Sequence, residues 1–177
     1  MKRQVSGIYW FSGLSGSGKT TLSMAVAERL KASGYNCLVL DGDSLRHGLC
    51  SDLGFSPADR NENIRRAGEV ARLIASQEHV CLCAFITPYS SMRTRLRETL
   101  GPIYYEIFLY CPIETCIKRD PKHNYAKVKQ GALQNYTGID APYEPPTSPD
   151  LLIDTNQLPL DVCVENIVNF IHGTMKR

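Results

Sequence analysis

Directly after the apolar run Ile8-Tyr9-Trp10-Phe11 stand Gly13-Leu14-Ser15-Gly16-Ser17-Gly18-Lys19-Thr20, followed by a helical pattern from Thr21 to Lys31. Glycines at this spacing let successive backbone N–H groups point inward at a helix N-terminus, where the helix dipole also favours negative charge. A polyphosphate is the dense anion such a cradle suits. The G-x-x-x-x-G-K-T pattern therefore asks for a strand, a tight loop and a helix in that order. Lys19 is expected to reach the β/γ phosphates and Thr20 to ligate Mg2+, with Gly13, Leu14, Ser15, Gly16, Ser17, Gly18 and Thr21 also contacting the nucleotide. A flexible Gly/Ser turn would share the letters but not the flanking elements.

Short apolar strands alternate with longer helical patterns along the rest of the chain. Strands are expected over 8–12, 37–40, 80–86, 103–110 and 151–153, and helices near 20–33, 61–77, 90–100, 113–118 and 160–171. This alternation implies an α/β fold, a parallel sheet of about five strands with helices on both faces. Ligands on such sheets bind beyond the carboxyl ends of the strands. At 177 residues and 43% hydrophobic content the chain is expected to form one domain, 1–177, with a sizeable core.

A formal net charge of +2, with Lys and Arg dispersed, gives no general attraction to nucleic acid or membrane, and no apolar stretch reaches membrane-spanning length. The expected partner is a small molecule. The seven cysteines form no CxxC pair and no Cys/His metal spacing, and the first strand begins by residue 8 without a signal-peptide pattern, so a cytoplasmic, reducing setting is expected. Cys81 and Cys83 alternate along an apolar strand and read as small buried hydrophobes.

The second strand ends in Asp41-Gly42-Asp43, whose two carboxylates point the same way if the chain stays extended. A carboxylate here could orient Mg2+ through water or accept the proton of an attacking hydroxyl; alternatively Asp43 caps a helix beginning at Ser44. Arg46, Arg60, Arg65 and Arg66 follow, and guanidinium forks suit phosphate or sulfate oxygens. Arg65 and Arg66 are adjacent and cannot share one helical face, which leaves at least one a structural role. Phe55, in Leu53-Gly54-Phe55-Ser56-Pro57, could stack a base or plug the rim of the core. The third strand runs into Phe85-Ile86-Thr87-Pro88-Tyr89, where Thr87 offers a hydroxyl. The stretch 119–145, with Lys122, Lys127, Lys129 and several tyrosines, is long enough to act as a lid that keeps water from a phosphoryl group in transfer.

Taken in order, the Walker A loop, Asp41-Gly42-Asp43-Ser44-Leu45-Arg46, Leu53-Gly54-Phe55-Ser56, Asp59-Arg60-Asn61-Glu62-Asn63-Ile64-Arg65-Arg66, Phe85-Ile86-Thr87-Pro88-Tyr89 and Tyr136-Thr137-Gly138-Ile139 strongly resemble the adenylylsulfate kinases over nearly the whole chain. The resemblance implies a P-loop nucleotide kinase-like fold and phosphorylation of the ribose 3′-hydroxyl of adenosine 5′-phosphosulfate by MgATP, giving 3′-phosphoadenosine 5′-phosphosulfate and ADP. It further implies Lys19, Asp43 and Thr87 as catalytic residues. Asp43 would sit beside the 3′-hydroxyl and, through water, the metal. Arg46 and Arg60 would hold the phosphosulfate, with Asp41, Asn63 and the Ile86-Thr87 backbone completing the acceptor pocket. Phe55 and Tyr136, with Thr137 beside it, would clamp the substrate adenine, and Arg119 would lie near the adenine of ATP. A homodimer is expected on the same ground.

The chain departs from the family pattern at three positions. Thr87 stands where serine is usual, Gln134 where a lysine commonly precedes the aromatic-Thr-Gly segment, and Cys50 where asparagine is usual. Two further readings follow: a divergent member acting on another nucleotide with a pyrophosphate-like end, and a nucleotide-binding module without turnover. Intact Lys19, Thr20 and Asp43 favour a working kinase over the module.

Overall fold

In the computed structural model, which describes residues 6–121, 123–131 and 136–175, five strands pair in parallel. They are β1 (Gly7–Ser12), β2 (Cys37–Asp41), β3 (Val80–Ala84), β4 (Tyr104–Tyr110) and β5 (Leu151–Asp154), ordered β2-β3-β1-β4-β5. The longer helices are α1 (Lys19–Ala32), α3 (Pro57–Ser76), α4 (Ser90–Leu100) and α7 (Leu160–Thr174); the short ones are α2 (Gly42–Arg46), α5 (Ile113–Arg119) and α6 (Asn124–Lys129).

The central strand β1 is buried along its whole length, and its side chains alternate between two cores. Tyr9 and Phe11 face Leu22, Val26 and Leu30 of α1 and Ile167 and Ile171 of α7. Ile8 and Trp10 face the other way, into Ile64, Ala67 and Ala71 of α3 and Met92 and Leu96 of α4. Cys81 and Cys83 lie in this second core, fully buried as expected.

Several element boundaries differ from the sequence expectation, each for a local reason. Helix α3 begins at Pro57, four residues before position 61, because Ser56 caps it: the Ser56 hydroxyl accepts from the Asp59 N–H at 3.1 Å, and Pro57 suits the first helical position. Strand β3 stops at Ala84, not at 86. Phe85 N–H still reaches Phe11 O at 3.1 Å, but Thr87 then takes a left-handed backbone (φ 49°) and the chain turns. The Asp41-Gly42-Asp43 segment does not stay extended, since α2 starts at Gly42. Its cap is Asp41, not Asp43: the Asp41 carboxylate accepts from the N–H groups of Asp43 at 2.9 Å and Ser44 at 3.4 Å. The 119–145 stretch holds α6 and the end of α5, so it is not structureless. Lys122 and Gln134 lie outside the described residues.

Candidate active site

A cavity of about 800 Å³ opens beyond the carboxyl ends of β1, β2 and β3. One half is the phosphate loop. Gly13, Gly16 and Gly18 have φ of 146°, 79° and 98°, and a Cβ at Gly16 would stand 2.8 Å from Cys116 O. Space as well as backbone conformation thus demands glycine at position 16. Lys19 Nζ donates to Gly13 O at 2.9 Å and Leu14 O at 2.6 Å, which folds the ammonium over the loop. Thr20 Oγ1 donates to Asp41 Oδ2 at 2.7 Å, which keeps its lone pairs available as acceptors. No group of three His, Cys, Asp or Glu able to hold a metal occurs among the described residues. The Thr20 hydroxyl and the Asp41 carboxylate behind it are hard oxygen donors of the kind a nucleotide-bound divalent cation takes.

The other half is an aromatic wall between two arginines. The guanidinium carbon of Arg46 stands 4.4 Å from the centre of the Phe55 ring, and that of Arg60 5.6 Å. Arg46 also donates to Leu53 O and Gly54 O at 3.3 and 3.0 Å, and Arg60 Nε to Phe55 O at 3.0 Å, so both shape the loop that presents the ring. Burial lowers both guanidinium pKa values from the ordinary arginine range, yet both stay cationic at neutral pH. Phe55 is 46% exposed and so does not plug the core. Asn63, one turn of α3 beyond Arg60, lines the cavity while its Oδ1 is buried without a hydrogen-bond partner. A buried carbonyl oxygen left unpaired calls for a donor from elsewhere.

The cavity wall gathers Ser15, Gly16, Ser17, Gly18, Lys19, Thr20, Thr21, Asp41, Asp43, Arg46, Phe55, Arg60, Asn63, Ile86, Thr87, Arg119 and Tyr136. Gly13, Leu14 and Thr137 are not part of it. Gly13 sits beneath the loop, Leu14 packs on the Gly138 side of the chain, and Thr137 is buried with its hydroxyl unpaired. Thr87 differs from expectation in the direction of its hydroxyl. Its Oγ1 accepts from Trp10 Nε1 at 2.8 Å in the core, so that hydroxyl serves the fold. Arg65 and Arg66 share one carboxylate: both bond Glu62, and Arg66 also bonds Asp52, which makes both arginines structural.

Tyr136 packs edge-on against Tyr125 with ring centres 5.1 Å apart, and the Tyr125 hydroxyl donates to Ser15 O at 2.8 Å. Arg119 Nη2 donates to Thr155 O at 2.7 Å, and Thr155 Oγ1 to Ser17 O at 3.0 Å, tying the end of β5 to the phosphate loop. Sequence reasoning passed over Thr155, and also over a buried pair, Arg93 and Glu106. Glu106 does carry a signal: it is the one carboxylate in the otherwise uncharged strand Tyr-Tyr-Glu-Ile-Phe-Leu-Tyr.

A family model described as adenylylsulphate kinase matches residues 5–154. The adenylyl-sulfate kinase of Clostridium acetobutylicum is 45% identical over 171 residues, covering 97% of this chain and 86% of that protein. That of Geotalea uraniireducens is 50% identical over 165 residues, covering 93% and 79%. Among solved structures, the Mycobacterium tuberculosis APS kinase CysC in complex with AMPPNP and APS has a TM-score of 0.91 at 39% identity, over 96% of this chain and 99% of that one. Likeness at this level, in sequence and in backbone and over almost the full length of the chain, means that the chain belongs to the adenylylsulphate kinase family.

Proposed function

We propose that this protein transfers the γ-phosphoryl group of ATP to the ribose 3′-hydroxyl of adenosine 5′-phosphosulfate, releasing ADP and 3′-phosphoadenosine 5′-phosphosulfate. The observation that carries the reading is one cavity with a phosphate loop in one half and Phe55 flanked by Arg46 and Arg60 in the other. An adenine stacked on Phe55 brings its 5′-anion toward the two guanidinium groups, and stacking contributes about 1–3 kcal/mol per base in single-strand systems. The arginines then supply much of the anion selectivity. Asn63 Oδ1, buried and unpaired, offers an acceptor to a substrate N–H or O–H.

Catalysis of phosphoryl transfer consists mainly of positioning and charge stabilisation. The amides of the loop residues that line the cavity, Ser15 to Thr20, hold the donor phosphates, and Lys19 offsets charge on the moving group. Asp43, in the first turn of α2 and on the cavity wall, orients the acceptor hydroxyl and takes its proton. Thr20, with Asp41 behind it, and Asp43 through water would hold Mg2+. When bound, that ion neutralises phosphate charge. Tyr136, with Thr137 beside it, would clamp the substrate adenine with Phe55, Arg119 would lie near the adenine of ATP, and the 119–145 segment would act as the lid. The reading extends to a single kinase domain, a homodimer and a cytoplasmic setting; no helix among the described residues is long and apolar enough to cross a membrane.

The test is a coupled ADP-release assay with MgATP and a panel of acceptors: adenosine 5′-phosphosulfate, AMP, CMP and CDP. Selective turnover of the first is expected, together with a drop in kcat of roughly 10²-fold or more in Asp43→Ala while ATP still binds. Preference for another nucleotide would reject the acceptor assignment, and unchanged turnover in the variant would remove Asp43 from the mechanism.

A further inference from the structure

Arg93 lies on the buried side of α4. Its side chain is 7% exposed and points each guanidinium nitrogen at a different part of the fold. Nε faces Glu106 Oε1 on β4 at 3.5 Å, Nη1 donates to Thr87 O at 2.9 Å, and Nη2 donates to Glu144 O at 2.7 Å. Glu106, equally buried, also accepts from Ser12 Oγ at 2.9 Å, immediately before the phosphate loop.

The residues so joined are the rim of the cavity. Ile86, Thr87 and Pro88 form its acceptor wall. Thr87 stands in a left-handed conformation (φ 49°) that a β-branched residue adopts only under constraint from its surroundings. Glu144 closes the 119–145 segment and is bound back onto the same wall: its N–H donates to Pro88 O at 2.8 Å, and its carboxylate accepts from Ser90 N–H at 2.7 Å. On the opposite side Gly13 N–H reaches Ile86 O at 3.4 Å. The wall is therefore pinned between the phosphate loop and one guanidinium.

A buried ion pair is a poor device for stability alone, because the desolvation of both charges offsets most of their attraction. A planar fork with donors in fixed directions is instead suited to holding separate backbone carbonyls in register, where an ammonium on a flexible stem is a compact charge with rotatable donors. We propose that Arg93, with Glu106 as its counter-charge, is a positioning residue of the reaction: it holds the Thr87–Pro88 wall and the return of the lid against the phosphate loop, and so sets where the acceptor nucleotide sits relative to the transferred phosphoryl group. This rests on the acceptor reading given above. Neither residue touches the substrate in this scheme.

The experiment compares wild type, Arg93→Lys and Glu106→Gln in steady-state turnover with each substrate varied, beside amide hydrogen exchange of the unliganded proteins. In Arg93→Lys the KM for adenosine 5′-phosphosulfate is expected to rise on the order of tenfold while the KM for ATP stays within about twofold, since the lost contacts serve one half of the cavity. The amides of Glu144 and Ser90 are expected to exchange faster in the same variant. Glu106→Gln keeps an acceptor for Ser12 but removes the counter-charge, and the same one-sided KM change is expected there; it gives the answer should Arg93→Lys fail to fold. Equal KM changes for both substrates with a lowered Tm, or wild-type KM values with unchanged exchange, would overturn the proposal. If wild type itself does not use adenosine 5′-phosphosulfate, the acceptor reading falls. Exchange then decides the positioning role by itself: faster exchange at Glu144 and Ser90 supports it, and unchanged exchange rejects it.

Discussion

At Thr87 the hydroxyl is buried and accepts the Trp10 indole N–H at 2.8 Å. Replacing it with a methyl leaves a buried donor unpaired, which costs about 1–3 kcal/mol. Thr87→Val is therefore expected to lower Tm by several degrees, and Thr87→Ser to keep most of the stability; thermal unfolding of the two variants checks this. A raised acceptor KM with unchanged Tm in Thr87→Val would instead make the hydroxyl a substrate contact. Residue types singled out Arg46 and Arg60 among four arginines and Phe55 as a stacking candidate, the family resemblance added Asn63, and all four line the cavity. They could not say where a hydroxyl points, because Trp10 lies 77 positions away in the chain. The same limit hid Arg93 and Glu106, whose pairing depends on α4 lying across β4.

Helix α3 carries Arg60 and Asn63 into the cavity, and its start is built from Ser56, Pro57 and Asp59. The Ser56 hydroxyl accepts from Asp59 N–H and donates to Asp59 Oδ2 at 2.7 Å. Removing an N-cap of this kind costs about 1 kcal/mol, which in a domain of this size corresponds to a Tm lower by about 2–4 °C. Ser56→Ala is expected to show that loss in thermal or urea unfolding, with kcat unchanged; no loss would mean that the cap does not hold the helix end. The long helices were legible because each repeats its apolar face over several turns, as in Ile64, Ala67, Ala71 and Ala75 of α3. Helices α2 and α6, of five and six residues, are too short to show a period. The cap was open in the sequence, with Asp43 offered as one alternative, for a related reason. Either aspartate suits a cap, and only the turn of the chain at Gly42 selects one.

For the molecule as a whole, all seven cysteines are free and buried: Cys37 and Cys163 in one core, Cys81 and Cys83 in the other, Cys111 and Cys116 in a small cluster with Tyr125 and Tyr136, and Cys50 just beyond α2. Burial pushes the Cys37 and Cys116 thiols up to about 12 and Cys83 well above its usual value, so little of the reactive thiolate exists at neutral pH. The native protein is expected to react slowly with a thiol reagent and to show all seven thiols in denaturant, with reductant leaving Tm unchanged. Rapid labelling of the native protein would show that a cysteine is accessible. The sequence by itself determined the α/β alternation, the five strands and the phosphate loop, because those depend on short-range chemistry, hydrophobic period and glycine geometry; the family followed from the resemblance of its motifs in order. Tertiary structure alone decided that the strands run in the order β2-β3-β1-β4-β5 and that the loops after β1, β2 and β3 share one cavity. It also decided that Asp41 backs Thr20 and that one buried guanidinium joins the Thr87 turn to β4 and to Glu144. Each of those depends on contacts between residues far apart in the chain, which local pattern does not encode.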